Sequence, residues 1–125
     1  MINLLEINIK LDFKINQLTM GQKIKWGIAG LGNIARKFAA DLKLVSQAEL
    51  IGVASTDKNR AQAFKEEFYG QKAYDNYEDL YCDPEIEVVY IASLNQNHKA
   101  MTIAALKAGK GVLCEKPLGL NIEEI

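Results

Sequence analysis

Four short apolar runs, each separated from the next by a helical pattern, constrain this chain more than any other feature. Ile24–Ala29, Leu50–Ala54, Glu87–Ala92 and Gly111–Cys114 read as strands. Their apolar character is nearly continuous rather than alternating, as in strands covered on both faces. Between them, Asn33–Leu44 is predicted helical, with Ile34, Phe38, Leu42 and the following Val45 on one face. Asp57 is placed to cap a second helix that carries Ala61, Phe64 and Phe68 on one stripe. Asn97–Ala108 turns Met101, Ala104, Ala105 and Ala108 inward and is closed by Gly109. The tripeptide "KAY" suggests a short strand, and "NYEDLYCDP" a helical turn stopped by Pro84. Strand–helix alternation of this kind predicts an α/β fold, a doubly wound parallel sheet in three αβα layers with right-handed crossovers. Ligands of such sheets bind at the carboxyl ends of the strands.

At 125 residues the chain suffices for one domain with a real core. A net charge of −1 gives no electrostatic case for nucleic acid or an anionic membrane as partner. No apolar run reaches the ~18 residues needed to span a bilayer, and the N-terminus lacks the pattern of a signal peptide. Cys82 and Cys114 are far apart and form no Cys-x-x-Cys. Neither a disulfide framework nor a metal site is therefore expected, and a reducing, cytoplasmic setting fits. The segment "LEINIKLDFKIN" sets apolar residues at Leu5, Ile7, Ile9, Leu11, Phe13 and Ile15 in strict period two. It has no hairpin partner in sequence. It is either an added edge strand or an extension outside the domain, with Met20 as the natural start. The expected division is an extension over 1–20 and a nucleotide-binding domain over 21–125.

"WGIAGLGNIA" joins the first strand to the first helix, and Gly30, Gly32 and Ala35 fill the small positions of Gly-x-Gly-x-x-Gly/Ala. The first glycine permits a tight turn, the second lets backbone approach a diphosphate, and the alanine keeps helix and strand close. The sheet is thereby of Rossmann type. The diphosphate would rest on Gly30, Leu31, Gly32, Asn33 and Ile34, where free N–H groups and the helix dipole favour an anion. At the second strand's end, "VASTDKNR" has Ser55 and Thr56 where an NAD site usually places an acid for the ribose 2′-OH. Asp57 comes late and reads as a helix cap. The hydroxyls, with Lys58 and Arg60 nearby, suit a 2′-phosphate, so the balance between NAD and NADP leans to NADP. Ser93, Leu94, Asn95 and His98 fall in the turn after the third long strand and would line the nicotinamide half of the cleft. By position alone His98 reads as a surface residue.

Taken in order, "GIAGLGNIA", "VASTDKNRAQAFKEEF" and "VVYIASLNQNHKAMTIAALKAGKGVLCEKPL" resemble the N-terminal domain of the glucose–fructose oxidoreductase / inositol dehydrogenase (Gfo/Idh/MocA) family. The resemblance runs from about Lys23 to Ile125. It implies an NAD(P)-dependent oxidoreductase acting on a hydroxyl of a sugar, cyclitol or related diol. The Glu-Lys-Pro after the last strand is its most specific part. By resemblance Lys116 contacts the substrate hydroxyl or helps its proton leave, Pro117 fixes the backbone, and Glu115 positions. Asn95 and His98 match the family's turn beside the cofactor. A lysine beside a cationic nicotinamide and partly desolvated has a lowered pKa, suited to proton exchange with an alcohol.

This chain has Ser93-Leu94 where family members commonly have Thr-Pro, and Thr56 where many NADP-using members have Arg. Family members continue into a second, mostly antiparallel substrate domain that also supplies much of the subunit interface. That C-terminal domain is expected to be absent here. The chain should then bind a dinucleotide but turn over polyols poorly, and the sheet face left exposed, with the apolar N-terminal segment, would favour self-association or a homo-oligomer. Two other readings stand beside this one, a non-catalytic dinucleotide-binding module and an inactive fragment.

Overall fold

The computed structural model describes residues 23–92 and 95–114, with backbone alone at 95–97. The expected extension over 1–20 lies outside the described residues. Five strands, β1 Ile24–Ala29, β2 Ala48–Ala54, β3 Lys72–Tyr74, β4 Val88–Ile91 and β5 Gly111–Cys114, form one sheet in the order β3-β2-β1-β4-β5. Every neighbouring pair is parallel. The helices are α1 Asn33–Leu42, α2 Lys58–Phe68, α3 Tyr77–Tyr81 and α4 Asn95–Lys107.

Alternate residues of each strand face opposite layers, so the strands divide the core in two. Trp26, Ile28, Val53, Tyr90 and Leu113 meet Phe38 and Leu42 of α1 and Phe64 and Phe68 of α2. Ala29, Ile51, Val89 and Ile91 meet Leu80 and Tyr81 of α3 and Met101 and Ala105 of α4. The Phe38 ring stacks on Tyr90 with centroids 3.8 Å apart, and Trp26 meets Phe38 edge-on at 5.5 Å. Such aromatic pairs add to the area they bury. On the other face, a Cβ at Gly27 or Gly52 would lie 3.1 Å from Ile86 Cδ1. The two glycines thus let Ile86 and Leu80 settle directly on the middle of the sheet.

The amino-terminal edge is closed by a polar strap. Asp83, with a side chain 1% exposed, accepts from Lys72 Nζ at 3.0 Å, Tyr74 Oη at 2.6 Å and the Glu85 N–H at 2.9 Å. Lys110 Nζ donates to the carbonyls of Asp83 at 2.6 Å and Ile86 at 2.7 Å. Lys72 opens β3 and Lys110 precedes β5, so the loop ties together both edges of the sheet.

Several boundaries differ from expectation. α1 ends at Leu42 rather than Leu44, because Lys43 and Leu44 turn out of the helix and Leu44 is 81% exposed. Ile34 is 38% exposed and does not join the Phe38–Leu42 face; Ala35 and Ala39 complete that face instead. α4 starts at Asn95 rather than Asn97 and stops at Lys107, which leaves Ala108 exposed in the turn. There Gly109 adopts φ 85°, the left-handed conformation that ends a helix.

Candidate dinucleotide site

β2 and β3 lie on one side of β1, and β4 and β5 on the other. The chain reverses its direction of winding at β1, so a crevice opens between the carboxyl ends of β1 and β4. The glycine loop leaves β1 at this crevice. Gly30 has φ 92° and donates its N–H to the Ala54 carbonyl at 3.0 Å, which bends the loop over the end of β2. An L side chain at that φ is strained. Gly32 has an ordinary extended backbone, with φ −91°, but a Cβ built there meets no heavy atom within 4 Å. It faces open space, as backbone must where a diphosphate is to approach. Ala35 is fully buried and brings α1 against the sheet.

The helix N-termini differ in how their free N–H groups are satisfied. Asp57 caps α2 by accepting from the N–H of Asn59 at 2.9 Å and Arg60 at 3.2 Å. Asn76 caps α3 by accepting from the Asp79 N–H at 2.8 Å. α1 has Gly32 at its cap, no side-chain cap bond and no acid in its first turn. Its amino end therefore keeps donors and positive dipole for an external anion. Leu31 is buried against the core, while Asn33 and Ile34 are exposed at the helix start.

At the end of β2, Ser55 is 4% exposed and its Oγ accepts the Asp57 N–H at 3.1 Å. Thr56, Lys58 and Arg60 are exposed on the same turn. The Asp57 carboxylate is engaged as a helix cap, as the sequence suggested. Tyr77 stands behind this turn; burial raises its pKa, and the nearby Arg60 cation opposes the rise.

His98 sits in the first turns of α4, half-buried and engaged with a partner rather than bare on the surface. Asn95 begins the helix, and its side chain lies outside the described residues, as do Ser93, Leu94, Glu115, Lys116 and Pro117. β5 ends at Cys114 next to β4, at the same carboxyl end of the sheet as the glycine loop. Thr102 of α4, which sequence reasoning did not single out, lies 2.8 Å from Cys114 Sγ through its Oγ1. No local pattern announces such a pair, since the two residues belong to different elements.

Among the described residues, no group of three or more His, Cys, Asp or Glu is arranged to hold a metal. No described helix is long and apolar enough to cross a membrane. A cavity of about 190 Å³ lined by Ala39, Leu42, Leu50, Phe68 and Tyr69 opens near the start of β2. It lies at the opposite end of the sheet and touches none of the predicted site residues.

Comparison with known proteins agrees with this geometry. Residues 24–125 match the family model GFO_IDH_MocA, described as an oxidoreductase family with an NAD-binding Rossmann fold. The chain is 43% identical over 104 residues to mouse trans-1,2-dihydrobenzene-1,2-diol dehydrogenase, covering 82% of this chain and 31% of that protein. Among solved structures it resembles Lactobacillus casei myo-inositol dehydrogenase in complex with NAD(H) and myo-inositol. There the TM-score is 0.73 at 28% identity, over 82% of this chain and 31% of the other. A 3-ketoreductase from Actinomadura kijaniata, KijD10, in complex with TDP-benzene and NADP gives a TM-score of 0.74 at 32% identity, over 78% and 31%. The chain thus spans about 31% of the length of the curated relative it matches. With the parallel sheet, the glycine loop and this match over residues 24–125 together, the chain belongs to the Gfo/Idh/MocA oxidoreductase family and represents its NAD-binding Rossmann domain.

Proposed function

We propose that this chain is the dinucleotide-binding part of an NAD(P)-dependent dehydrogenase that acts on a CH–OH group of a sugar, cyclitol or related diol. The observation that carries the reading is the glycine loop at the β1–β4 crevice. Gly30 makes the turn, Gly32 leaves its Cβ position open, and α1 presents an uncapped amino end. The backbone of Gly30, Leu31, Gly32, Asn33 and Ile34 would hold the diphosphate. Ser55 and Thr56 would meet the adenosine ribose. Ser93, Leu94, Asn95 and His98 would border the nicotinamide, with Glu115, Lys116 and Pro117 facing them from the end of β5.

When bound, the nicotinamide supplies the hydride acceptor. Lys116 takes or relays the proton that leaves the substrate hydroxyl, and Pro117 restricts the backbone that aims it. The preferred cofactor is NADP. Asp57 accepts the N–H groups of Asn59 and Arg60 at one carboxylate oxygen, Oδ1, which favours a capping role over selection of a ribose 2′-OH. Thr56, Lys58 and Arg60 offer a hydroxyl and two cations to a 2′-phosphate. The diol dehydrogenase and inositol dehydrogenase names of the relatives support the substrate class.

Titration of the purified chain with NADPH and NADH, followed by nicotinamide fluorescence, tests the cofactor assignment. Saturable binding with NADPH favoured about tenfold, a difference of ~1.4 kcal/mol, is expected. Failure of both nucleotides to bind would sink the dinucleotide reading, and tighter NADH binding would overturn the NADP preference. Lys116→Ala in a full-length protein should abolish turnover while leaving nucleotide affinity intact. Retained turnover would remove Lys116 from the chemistry.

A further inference from the structure

β5 is an edge strand whose described partner is β4 alone, so its ladder bonds hold it from one side. Its carboxyl end carries a second fastening. Thr102 Oγ1 and Cys114 Sγ lie 2.8 Å apart and part-buried, and either group can donate. Cys114 is the last residue of β5, and Lys116 follows it by two positions. Thr102 lies four residues after His98 in α4, one helical turn away on the same face. The bond therefore joins the helix that carries His98 to the strand that leads to Lys116. Met101 and Ala105 seat the same stretch of α4 on the sheet through apolar contacts. Those contacts are non-directional and tolerate sliding. A hydrogen bond depends on distance and angle, and so selects one register of helix against strand.

Building on the dehydrogenase reading, we propose that Thr102 is a positioning residue. Through Cys114 it sets the register of α4 on β5, and with it where His98 stands relative to the strand that leads to Lys116. The substrate-contacting chemistry stays with Lys116; Thr102 acts at one remove.

The test compares Thr102→Val, which keeps the shape and loses the hydroxyl, with Thr102→Ser, which keeps the hydroxyl. The readouts are the thermal midpoint, the backbone amide signal of Lys116, the ring signals of His98 and the NADPH titration. His98 is the sequence's one histidine, so its signals need no assignment by elimination. Thr102→Val should shift the Lys116 and His98 signals, weaken NADPH binding about 3-fold or more, and lower the melting midpoint by a few degrees, as loss of one hydrogen bond does. Thr102→Ser should restore both signals and affinity. Unmoved signals in Thr102→Val, or a serine variant that behaves like valine, would overturn the proposal. If valine prevents folding, Thr102→Ala gives the same comparison, since alanine favours the helix. A wild-type chain that binds no NADPH would sink the dehydrogenase reading by itself. The nucleotide-free signals of Lys116 and His98 would then still decide whether Thr102 sets the register.

Discussion

Asp83→Ala should destabilise the domain by about 3 kcal/mol, a large effect for a residue far from the glycine loop. The carboxylate is 1% exposed and accepts three part-buried hydrogen bonds. Truncation removes the partner of the Tyr74 hydroxyl and of the Glu85 N–H, a loss of about 1–1.5 kcal/mol each. Lys72 adds little to the loss, because its ammonium is 37% exposed and keeps Glu85 at 2.6 Å. The released strap would also loosen Ile86 over the middle of the sheet. In a domain of this size ~3 kcal/mol corresponds to a fall of about 12 °C in Tm. Circular dichroism with thermal and urea unfolding measures it directly. Tyr74→Phe, which removes one donor and leaves the carboxylate paired, should lose only about 1 kcal/mol. An Asp83→Ala variant within about 0.5 kcal/mol of wild type, the range of an ordinary surface change, would refute the reasoning.

The same site predicts an acid dependence. Burial pushes the Asp83 carboxyl up, but the Tyr74 hydroxyl, the Glu85 N–H and Lys72 outweigh it and hold the group below its ordinary value of 3.8. A group depressed on folding contributes stability that is complete above its unfolded pKa and is lost as pH falls through the folded one. Wild type should therefore lose stability below about pH 4 more steeply than Asp83→Asn, and parallel acid titrations of the two would contradict the strap. Gly32→Ala should lower Tm by only a few degrees, since its Cβ meets nothing within 4 Å and the cost is that of a poorer helix cap, yet weaken NADPH binding at least tenfold, as a fluorescence titration would register. Asp57→Ala should lower stability by about 1 kcal/mol through loss of the α2 cap, and Asp57→Ser should recover most of it. Neither change should alter the ratio of NADPH to NADH affinity; a shift toward NADPH in both would show that Asp57 reads the ribose after all.

Features that depend on neighbours in sequence were legible from the sequence. Apolar runs without alternation marked the parallel strands, and the bounds of β1, β3 and β5 came out as read. Asp57 and Gly109 announced the start of one helix and the end of another, because capping is settled within a turn of chain. Gly30, Gly32 and Ala35 identified the loop for the same reason. The Lys116 region was reachable only through family resemblance, since nothing local distinguishes that lysine from one on any exposed loop.

The tertiary structure decided the rest. Ile34 fits the apolar stripe of α1 by spacing, yet α1 lies on the sheet along Ala35, Phe38, Ala39 and Leu42, and the crevice end of the helix is left open. The Asp83 strap joins residues from β3, the α3–β4 loop and the turn before β5 through hydrogen bonds between residues up to 27 positions apart. In the sequence Asp83 is one acid beside a proline. Thr102 and Cys114 are likewise ordinary until helix and strand pack. The sequence alone determined which segments become strands, which become helices and where backbone can approach a phosphate, because those follow from period, caps and the missing Cβ of glycine. Which polar groups are buried together, and which apolar ones stay exposed, depended on how the crossovers bring distant segments into contact, and that is a property of the folded sheet.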